Sequence, residues 1–187
     1  MRIISGKYKN KKIILPKDKL TRPLRDQVKE SIFNIILHSN LLKIDLRNSK
    51  VLDLFSGSGS FGLECLSRYA KNIVFCENYK PTLNVLKKNI DNLDCWEQIE
   101  IIEENIFKVL KENKYFNSKF DIIFLDPPFK EVRVIQLLDD IKKNHLIEKN
   151  GIIILHRSSK DKESFSKNTE VIIEKTYGLS KIFFLRI

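Results

Sequence analysis

Cysteine and long apolar runs are both scarce in this chain of 187 residues. The three cysteines, Cys65, Cys76 and Cys95, are odd in number and form no Cys-x-x-Cys pair, which disfavours a disulfide framework or a zinc site. No apolar run approaches the roughly 20 residues that a membrane-spanning helix needs. The amino terminus also lacks the apolar centre of a signal peptide. We therefore expect a cytoplasmic protein with one globular domain, acting as a monomer.

What the chain has in excess is positive charge, and this charge is concentrated at the beginning. The net charge is +10. Residues 1–30 hold ten Lys or Arg against three acidic residues, a balance of +7 that leaves only +3 for the other 157 residues. A basic patch at one end of a chain is typical of an element that binds nucleic acid.

The first residues predict a β-hairpin. Short β-prone runs at 2–8 and 11–15 flank Lys9-Asn10, and Asn tolerates the left-handed backbone of a tight turn. We predict a basic hairpin over 1–20 that precedes a main domain over 21–187; a hairpin that only covers a sheet edge is the alternative. Its cations would contact phosphates, and its tyrosine would stack on a base. The predicted contacts are Arg2, Lys7, Tyr8, Lys9, Lys11, Lys12 and Arg22, with Arg157 as a further candidate.

The stretch Lys50–Gly62 reads as a strand, a glycine loop and the start of a helix. Gly57, Gly59 and Gly62 let the backbone approach a ligand closely and leave the first helical amides free to donate hydrogen bonds. This G-x-G-x-x-G spacing predicts a nucleotide-binding α/β unit. Taken alone, the spacing also fits a dinucleotide dehydrogenase.

Two acidic residues refine the choice of ligand. Asp53 ends the first strand, where a carboxylate would repel a pyrophosphate but would suit the ammonium and sulfonium of S-adenosyl-L-methionine. Glu77 ends the next apolar run, where it would accept hydrogen bonds from a ribose diol. The alternative is that Asp53 caps the loop and Glu77 is a solvated strand end. Phe55, in the same loop as Asp53, and Asp126, which follows the fourth strand, are included among the cofactor contacts.

Strand and helix signals alternate from residue 51 to residue 155, which predicts a parallel sheet covered on both faces. Residues 38–49 are expected to form a short helix or a loop, and Asn150-Gly151 is expected to form a turn before a strand over 152–155. The last two β-prone runs, 171–177 and 180–187, meet at Gly178 and predict a terminal hairpin. The expected architecture is the class I methyltransferase fold, with a seven-stranded, mostly parallel sheet and one antiparallel strand.

The second informative motif is Asp126-Pro127-Pro128-Phe129, which follows the fourth strand of the sheet. The prolines hold the loop rigid. The Asp126 carboxylate and the Pro127 carbonyl would accept hydrogen bonds from an exocyclic amine, and Phe129 would stack on its base. This motif predicts direct methyl transfer in which positioning supplies most of the acceleration. A proline-rich surface turn is the alternative.

Other polar residues are less informative. Asn105 follows the third strand, where it would contact an adenine amine or cap the next helix. The three histidines, His38, His145 and His156, show no ligand spacing, so we expect structural or surface roles for them.

These motifs together resemble the RsmD family of bacterial methyltransferases that act on guanine N2 of small-subunit ribosomal RNA. The resemblance covers nearly the whole chain and includes Arg2-Ile3-Ile4 with Gly6, Thr21-Arg22-Pro23, the loop from Asp53 to Gly62, and Asp126 to Phe129. It implies S-adenosyl-L-methionine as methyl donor and one guanine of 16S rRNA as acceptor. It also implies that the substrate is the assembled or assembling 30S subunit.

Three other functions remain open from the sequence. A DNA adenine or cytosine amino-methyltransferase uses the same kind of loop, although it usually carries a sizeable target-recognition domain. A ribosome assembly factor would keep the fold without catalysis. A dehydrogenase would bind NAD at the glycine loop.

Overall fold

The computed structural model describes residues 1–17, 24–112 and 114–187. The predicted contact Arg22 lies outside these residues. The α-helices are α1 (Asp26–His38), α2 (Ser60–Ser67), α3 (Lys80–Leu93), α4 (Ile106–Glu112) and α5 (Val134–Lys143), and a 3-10 turn spans Trp96–Gln98. The strands are β1 (Lys50–Asp53), β2 (Asn72–Cys76), β3 (Ile99–Ile102), β4 (Phe120–Leu125), β5 (Ile147–Ser158), β6 (Glu170–Tyr177) and β7 (Ser180–Arg186).

The strands form one seven-stranded sheet in the order β3-β2-β1-β4-β5-β7-β6. Strands β1 to β5 pair in parallel, and β7 is antiparallel to both of its neighbours. Gly178 has φ +58° in the turn between β6 and β7. This topology confirms the predicted fold class, and it places the reversal of strand order between β1 and β4, where open α/β sheets bind ligands.

The core lies on both faces of the sheet. On one face, apolar side chains of α1, α2 and α3 pack against the strands, and on the other face those of α4 and α5 do so. Gly62 allows α2 to approach the sheet closely, because a Cβ atom there would lie 2.4 Å from the Phe75 ring. In the described part of the chain, no helix is both long and apolar enough to cross a bilayer.

The amino-terminal segment pairs less extensively than predicted. Only Arg2 and Lys12 form a β-bridge, and Asn10 adopts the left-handed conformation at φ 69°. Four backbone amides of the first arm also bond to α2: Glu64 accepts hydrogen bonds from the amides of Ile4 and Ser5, and Ser67 accepts them from those of Lys7 and Tyr8. Backbone hydrogen bonds also join the two arms, from Ile3 to Lys11, from Asn10 to Ile3 and from Ile13 to Met1. The two arms are therefore held both by each other and by a helix.

Of the two alternatives for residues 38–49, a short helix or a loop, the loop is observed over 39–49. One boundary differs from the sequence prediction. The expected turn at Asn150-Gly151 is wrong, because β5 runs from Ile147 to Ser158. Its pairing with β4 jumps from Phe120–Ile147 to Ile122–Ile152, so the extra residues are absorbed as a bulge inside the strand.

Candidate active site

The glycine loop follows β1 and turns at once into α2. Gly57 and Gly59 have φ of +55° and +80°, in the left-handed region that favours glycine. A Cβ atom on Gly59 would lie 2.4 Å from Leu86 of α3, whereas one on Gly57 would meet nothing within 4 Å. Gly59 therefore allows the loop to pack closely against Leu86 of α3, whereas the backbone at Gly57 borders open space.

Asp53 is buried at the end of β1, with 1% of its surface exposed. Its Oδ2 accepts a hydrogen bond from the Gly62 amide at 3.2 Å, and its Oδ1 is buried without a partner among the described residues. Burial raises the pKa of Asp53 to about 8, and the nearby carboxylates of Asp126 and Glu77 add to the shift, against the Gly62 hydrogen bond. A cation at Oδ1 would satisfy this oxygen and favour the ionised form.

Glu77 links the loops that follow β1 and β2. Its Oε2 accepts a hydrogen bond from the Gly57 amide at 2.9 Å, and its Oε1 accepts one from each of the Asn78 and Tyr79 amides, both at 2.9 Å. Burial raises the pKa of Glu77, while these amides oppose the shift. Glu77 is therefore more than a solvated strand end, because it fixes the glycine loop from the neighbouring strand.

Asn105 caps a helix in this structure. Its Oδ1 accepts a hydrogen bond from the Phe107 amide at 3.0 Å at the start of α4. The capping alternative is therefore the contact observed, and an adenine contact stays a prediction. Phe55 is half-buried and packs against the apolar cluster on the α4 and α5 face of the sheet.

The Asp126–Phe129 loop leaves β4 beside the glycine loop. Asp53 pairs with Phe124 across the two parallel strands, so both loops emerge at the same edge of the sheet. Pro127 is buried, Pro128 is exposed and Phe129 is half-buried. The strand order therefore places the two loops on neighbouring strands at one edge of the sheet.

His156 of β5 contacts this loop, which the sequence did not predict. Its Nδ1 lies 2.8 Å from Oδ1 of Asp126, and its ring meets the Phe129 ring edge to face at 5.5 Å. The neighbouring Arg157 is also buried and forms ion pairs with Asp161 and Glu163. Arg157 is therefore a poor phosphate contact. Of the two roles expected for His156, the buried structural one is observed and the surface one is not.

Comparison with known proteins assigns the family. Residues 1–186 match the family model described as conserved hypothetical protein 95. The chain is 35% identical over 181 residues to ribosomal RNA small subunit methyltransferase D of Haemophilus influenzae, covering 96% of this chain and 90% of that protein. The chain belongs to the RsmD family. A putative rRNA methyltransferase of Bacillus subtilis, YlbH, is 31% identical to this chain. The match covers 97% of this chain and 96% of YlbH.

Solved structures agree with this RsmD family membership. The structure of a putative methylase of Haemophilus influenzae is 32% identical in sequence and superposes with a TM-score of 0.75. The match covers 98% of this chain and 96% of the methylase chain. A putative methyltransferase of Escherichia coli, at 23% identity, has a TM-score of 0.82 over 99% of this chain and 96% of its own, which supports the fold. The prediction of a methyltransferase is confirmed.

The amino-terminal segment of this RsmD family member runs along the outside of α2. Ile14 exchanges backbone hydrogen bonds with the Asn89 side chain, which also donates to the Ser58 carbonyl in the glycine loop at 2.9 Å. The Lys7 amide bonds the Ser67 carbonyl at the other end of α2, about 12 Å away for a helix of this length. One end of the segment therefore adjoins the glycine loop, and the other lies at the opposite edge of the sheet.

A buried ion cluster ties this segment to the domain. Glu64 and Lys29 are both fully buried, with Nζ of Lys29 3.5 Å from Glu64 and 2.9 Å from the Arg2 carbonyl. Arg68 donates to Glu64 at 2.8 Å. A single lysine and a single glutamate at these positions carry no sequence signal, because amphipathic helices usually expose such residues.

Proposed function

We propose that this protein transfers a methyl group from S-adenosyl-L-methionine to the exocyclic N2 amine of one guanine in 16S rRNA. The proposed substrate is the small ribosomal subunit or its assembly intermediate, and the protein acts as a monomer. The observation that carries the proposal is the pair of loops that begin at Asp53 and Asp126, which leave adjacent strands at the same edge of the sheet. The relative from Haemophilus influenzae, named for small-subunit ribosomal RNA, supports the substrate class.

The residues around the glycine loop fit the donor. The unpartnered, buried Oδ1 of Asp53 is suited to an ammonium group, and the open space at Gly57 admits a ligand against the backbone. Glu77, Phe55, Gly59 and Asn105 complete the proposed donor contacts. When bound, S-adenosyl-L-methionine supplies a methyl group activated by the sulfonium charge.

The Asp126–Phe129 loop fits the acceptor. The Asp126 side chain is 19% exposed, and no described residue bonds its Oδ2. This oxygen and the Pro127 carbonyl would accept hydrogen bonds from the amine, which orients its lone pair. Phe129 would stack on the base and fix its plane. The chain provides no covalent step in this mechanism, so its contribution is orientation and exclusion of water.

Cationic residues of the amino-terminal segment would contact phosphates. Arg2, Lys9, Lys11 and Lys12 are exposed, while Tyr8 is half-buried with the Lys7 ammonium 4.8 Å from its ring centre. Because this segment spans α2, its two ends would contact RNA at separate places, one near the target base and one distant from it. Arg22 remains a proposed contact.

The test is methyl transfer from a labelled donor to 30S subunits, naked 16S rRNA and duplex DNA. We expect label in the 30S subunit, and we expect Asp126→Ala to abolish turnover with little change in donor affinity. The matched control is Asp139→Ala on the outer face of α5, which should keep full activity.

Other outcomes would overturn the proposal in distinct ways. Label on DNA alone would show a DNA amino-methyltransferase. Tight binding of donor and 30S subunits without transfer would show a non-catalytic assembly factor. Full turnover by the Asp126 variant would refute the proposed role of this carboxylate.

A further inference from the structure

The register of the sheet brings β5 against the Asp126–Phe129 loop. Leu125, the last residue of β4, pairs with Leu155 of β5, so the next residue on each strand, Asp126 and His156, also lie side by side. Both His156 and Arg157 are buried, at 6% and 5% exposed. Because successive strand residues point to opposite faces, these two side chains reach the loop from different sides.

His156 holds one oxygen of the Asp126 carboxylate. The distance from Nδ1 to Oδ1 is 2.8 Å, within the range of a hydrogen bond in which the ring nitrogen donates. Nε2 is buried and has no partner among the described residues. A proton on Nε2 would be an unpaired buried donor, so the contacts favour a neutral ring with its proton on Nδ1.

Two weaker contacts hold the rest of the loop. The edge-to-face packing of the His156 and Phe129 rings, at an interplanar angle of 81°, restricts the plane of the phenyl ring. Nη1 of Arg157 lies 3.4 Å from the Pro128 carbonyl, which also accepts a hydrogen bond from the Glu131 amide at 2.8 Å. The loop is therefore supported at its first, third and fourth residues from the strand behind it.

We propose that His156 is a positioning residue for methyl transfer. It donates from Nδ1 to Oδ1 of Asp126 and thereby directs Oδ2 toward the target amine, while its ring sets the plane of Phe129. This inference rests on the proposed function of the loop. Arg157 supports the same loop through Pro128, and the ion pairs to Asp161 and Glu163 fix its guanidinium.

Two substitutions separate the hydrogen bond from the volume of the ring. His156→Leu removes the donor and should lower kcat about 10- to 100-fold, the effect of losing one hydrogen bond to a charged group, with the donor dissociation constant unchanged. His156→Asn keeps an N–H close to the position of Nδ1 and should recover most of kcat. His38→Leu, at an exposed histidine that ends α1, is the matched control and should leave kcat unchanged.

A spectroscopic measurement tests the contact without any turnover. The chain has three histidines, so their imidazole nitrogen signals can be assigned with His156→Asn and His38→Leu. We expect His156 to show the neutral form with the proton on Nδ1, and we expect Asp126→Ala to change that signal. A ring that carries its only proton on Nε2, and so has none on Nδ1 to donate, would overturn the proposal, as would an asparagine variant no more active than a folded leucine variant.

The two proposals fail in different ways. If the wild-type protein does not methylate ribosomal RNA, the proposed function is wrong, and the nitrogen signals still decide whether His156 donates to Asp126. If the wild-type protein is active and His156→Leu keeps full kcat, only the positioning role is refuted. If the leucine variant does not fold, the asparagine variant and the nitrogen signals of the wild-type protein decide the question.

Discussion

The buried Asp53 carboxylate makes a sharp prediction for Asp53→Asn. The ordinary pKa of 3.8 rises to about 8 in the folded protein, chiefly through burial. Between these two values the folded protein holds one proton more than the unfolded chain. The stability associated with this proton is therefore fully present below about pH 4 and is lost as the pH rises through about 8.

The magnitude follows from one bound proton. The free energy of unfolding should fall by about 1.4 kcal/mol for each pH unit in this window, or about 3 kcal/mol between pH 5 and pH 7. Asparagine cannot titrate, so in Asp53→Asn the free energy of unfolding should not show this fall with pH. The amide adds a buried donor at a roughly constant cost of about 1–3 kcal/mol, so the slope is the informative quantity and the absolute stability is not.

Chemical denaturation at a series of pH values measures this slope in the wild-type protein, in Asp53→Asn and in the control Asp139→Asn, which changes an exposed carboxylate. Titrating groups that do not interact with Asp53 contribute equally to all three proteins. We expect the control to run parallel to the wild-type protein and Asp53→Asn to be flatter with pH. Parallel curves for all three proteins would refute the reasoning.

The same carboxylate predicts how the donor binds. A cationic ligand at Oδ1 needs the ionised form, so donor binding near pH 7 should release about one proton and should tighten as the pH rises toward 8. Calorimetry in buffers of different ionisation enthalpy counts this proton. Asp53→Asn should bind the donor more weakly and release none, and proton release equal to that of the wild-type protein would contradict the assignment.

Three further predictions concern the glycine loop, the ion cluster and the amino-terminal segment. Gly59→Ala should destabilise the protein by about 1–3 kcal/mol in chemical denaturation, because its Cβ would clash with Leu86 at positive φ. Gly57→Ala should chiefly weaken donor binding, and the reverse ranking would contradict these roles. Lys29→Met should cost about 3 kcal/mol by leaving the buried Glu64 carboxylate without its ammonium partner, and an unchanged stability would refute this pairing. Lys11→Gln combined with Lys12→Gln should weaken binding to 30S subunits. It should also reduce, by about two, the slope of the logarithm of the binding constant against the logarithm of salt concentration, whereas an unchanged slope would exclude phosphate contacts at these lysines.

The sequence predicts the sheet and its two functional loops well, for a physical reason. Buried strands and the spacing of the glycines are local signals, and parallel strands bring their carboxyl ends to one edge. Asp53 and Asp126 could therefore be placed together from the alternation of strands and helices alone. Gly178 likewise marks the turn of the last hairpin.

The parts that the sequence did not predict depend on tertiary contacts. The amides of Ile4, Ser5, Lys7 and Tyr8 bond to Glu64 and Ser67, which no local pattern connects with them. His156 shows no ligand spacing, and its contact with Asp126 follows from the Leu125–Leu155 register, which only the folded sheet defines. The Asn150-Gly151 pair resembles a turn, but β4 pairs with β5 on both sides of it, at Ile147 and at Ile152, so the strand continues through it.

Identification of the methylated nucleoside tests the central claim most directly. Wild-type protein is incubated with donor and 30S subunits that lack this modification, and the 16S rRNA is digested and analysed by mass spectrometry, with Asp126→Ala in parallel. The account predicts one N2-methylguanosine per subunit, formed by the wild-type protein and absent with the variant. A methyl group on another base, on a guanine ring nitrogen or on ribose would contradict it.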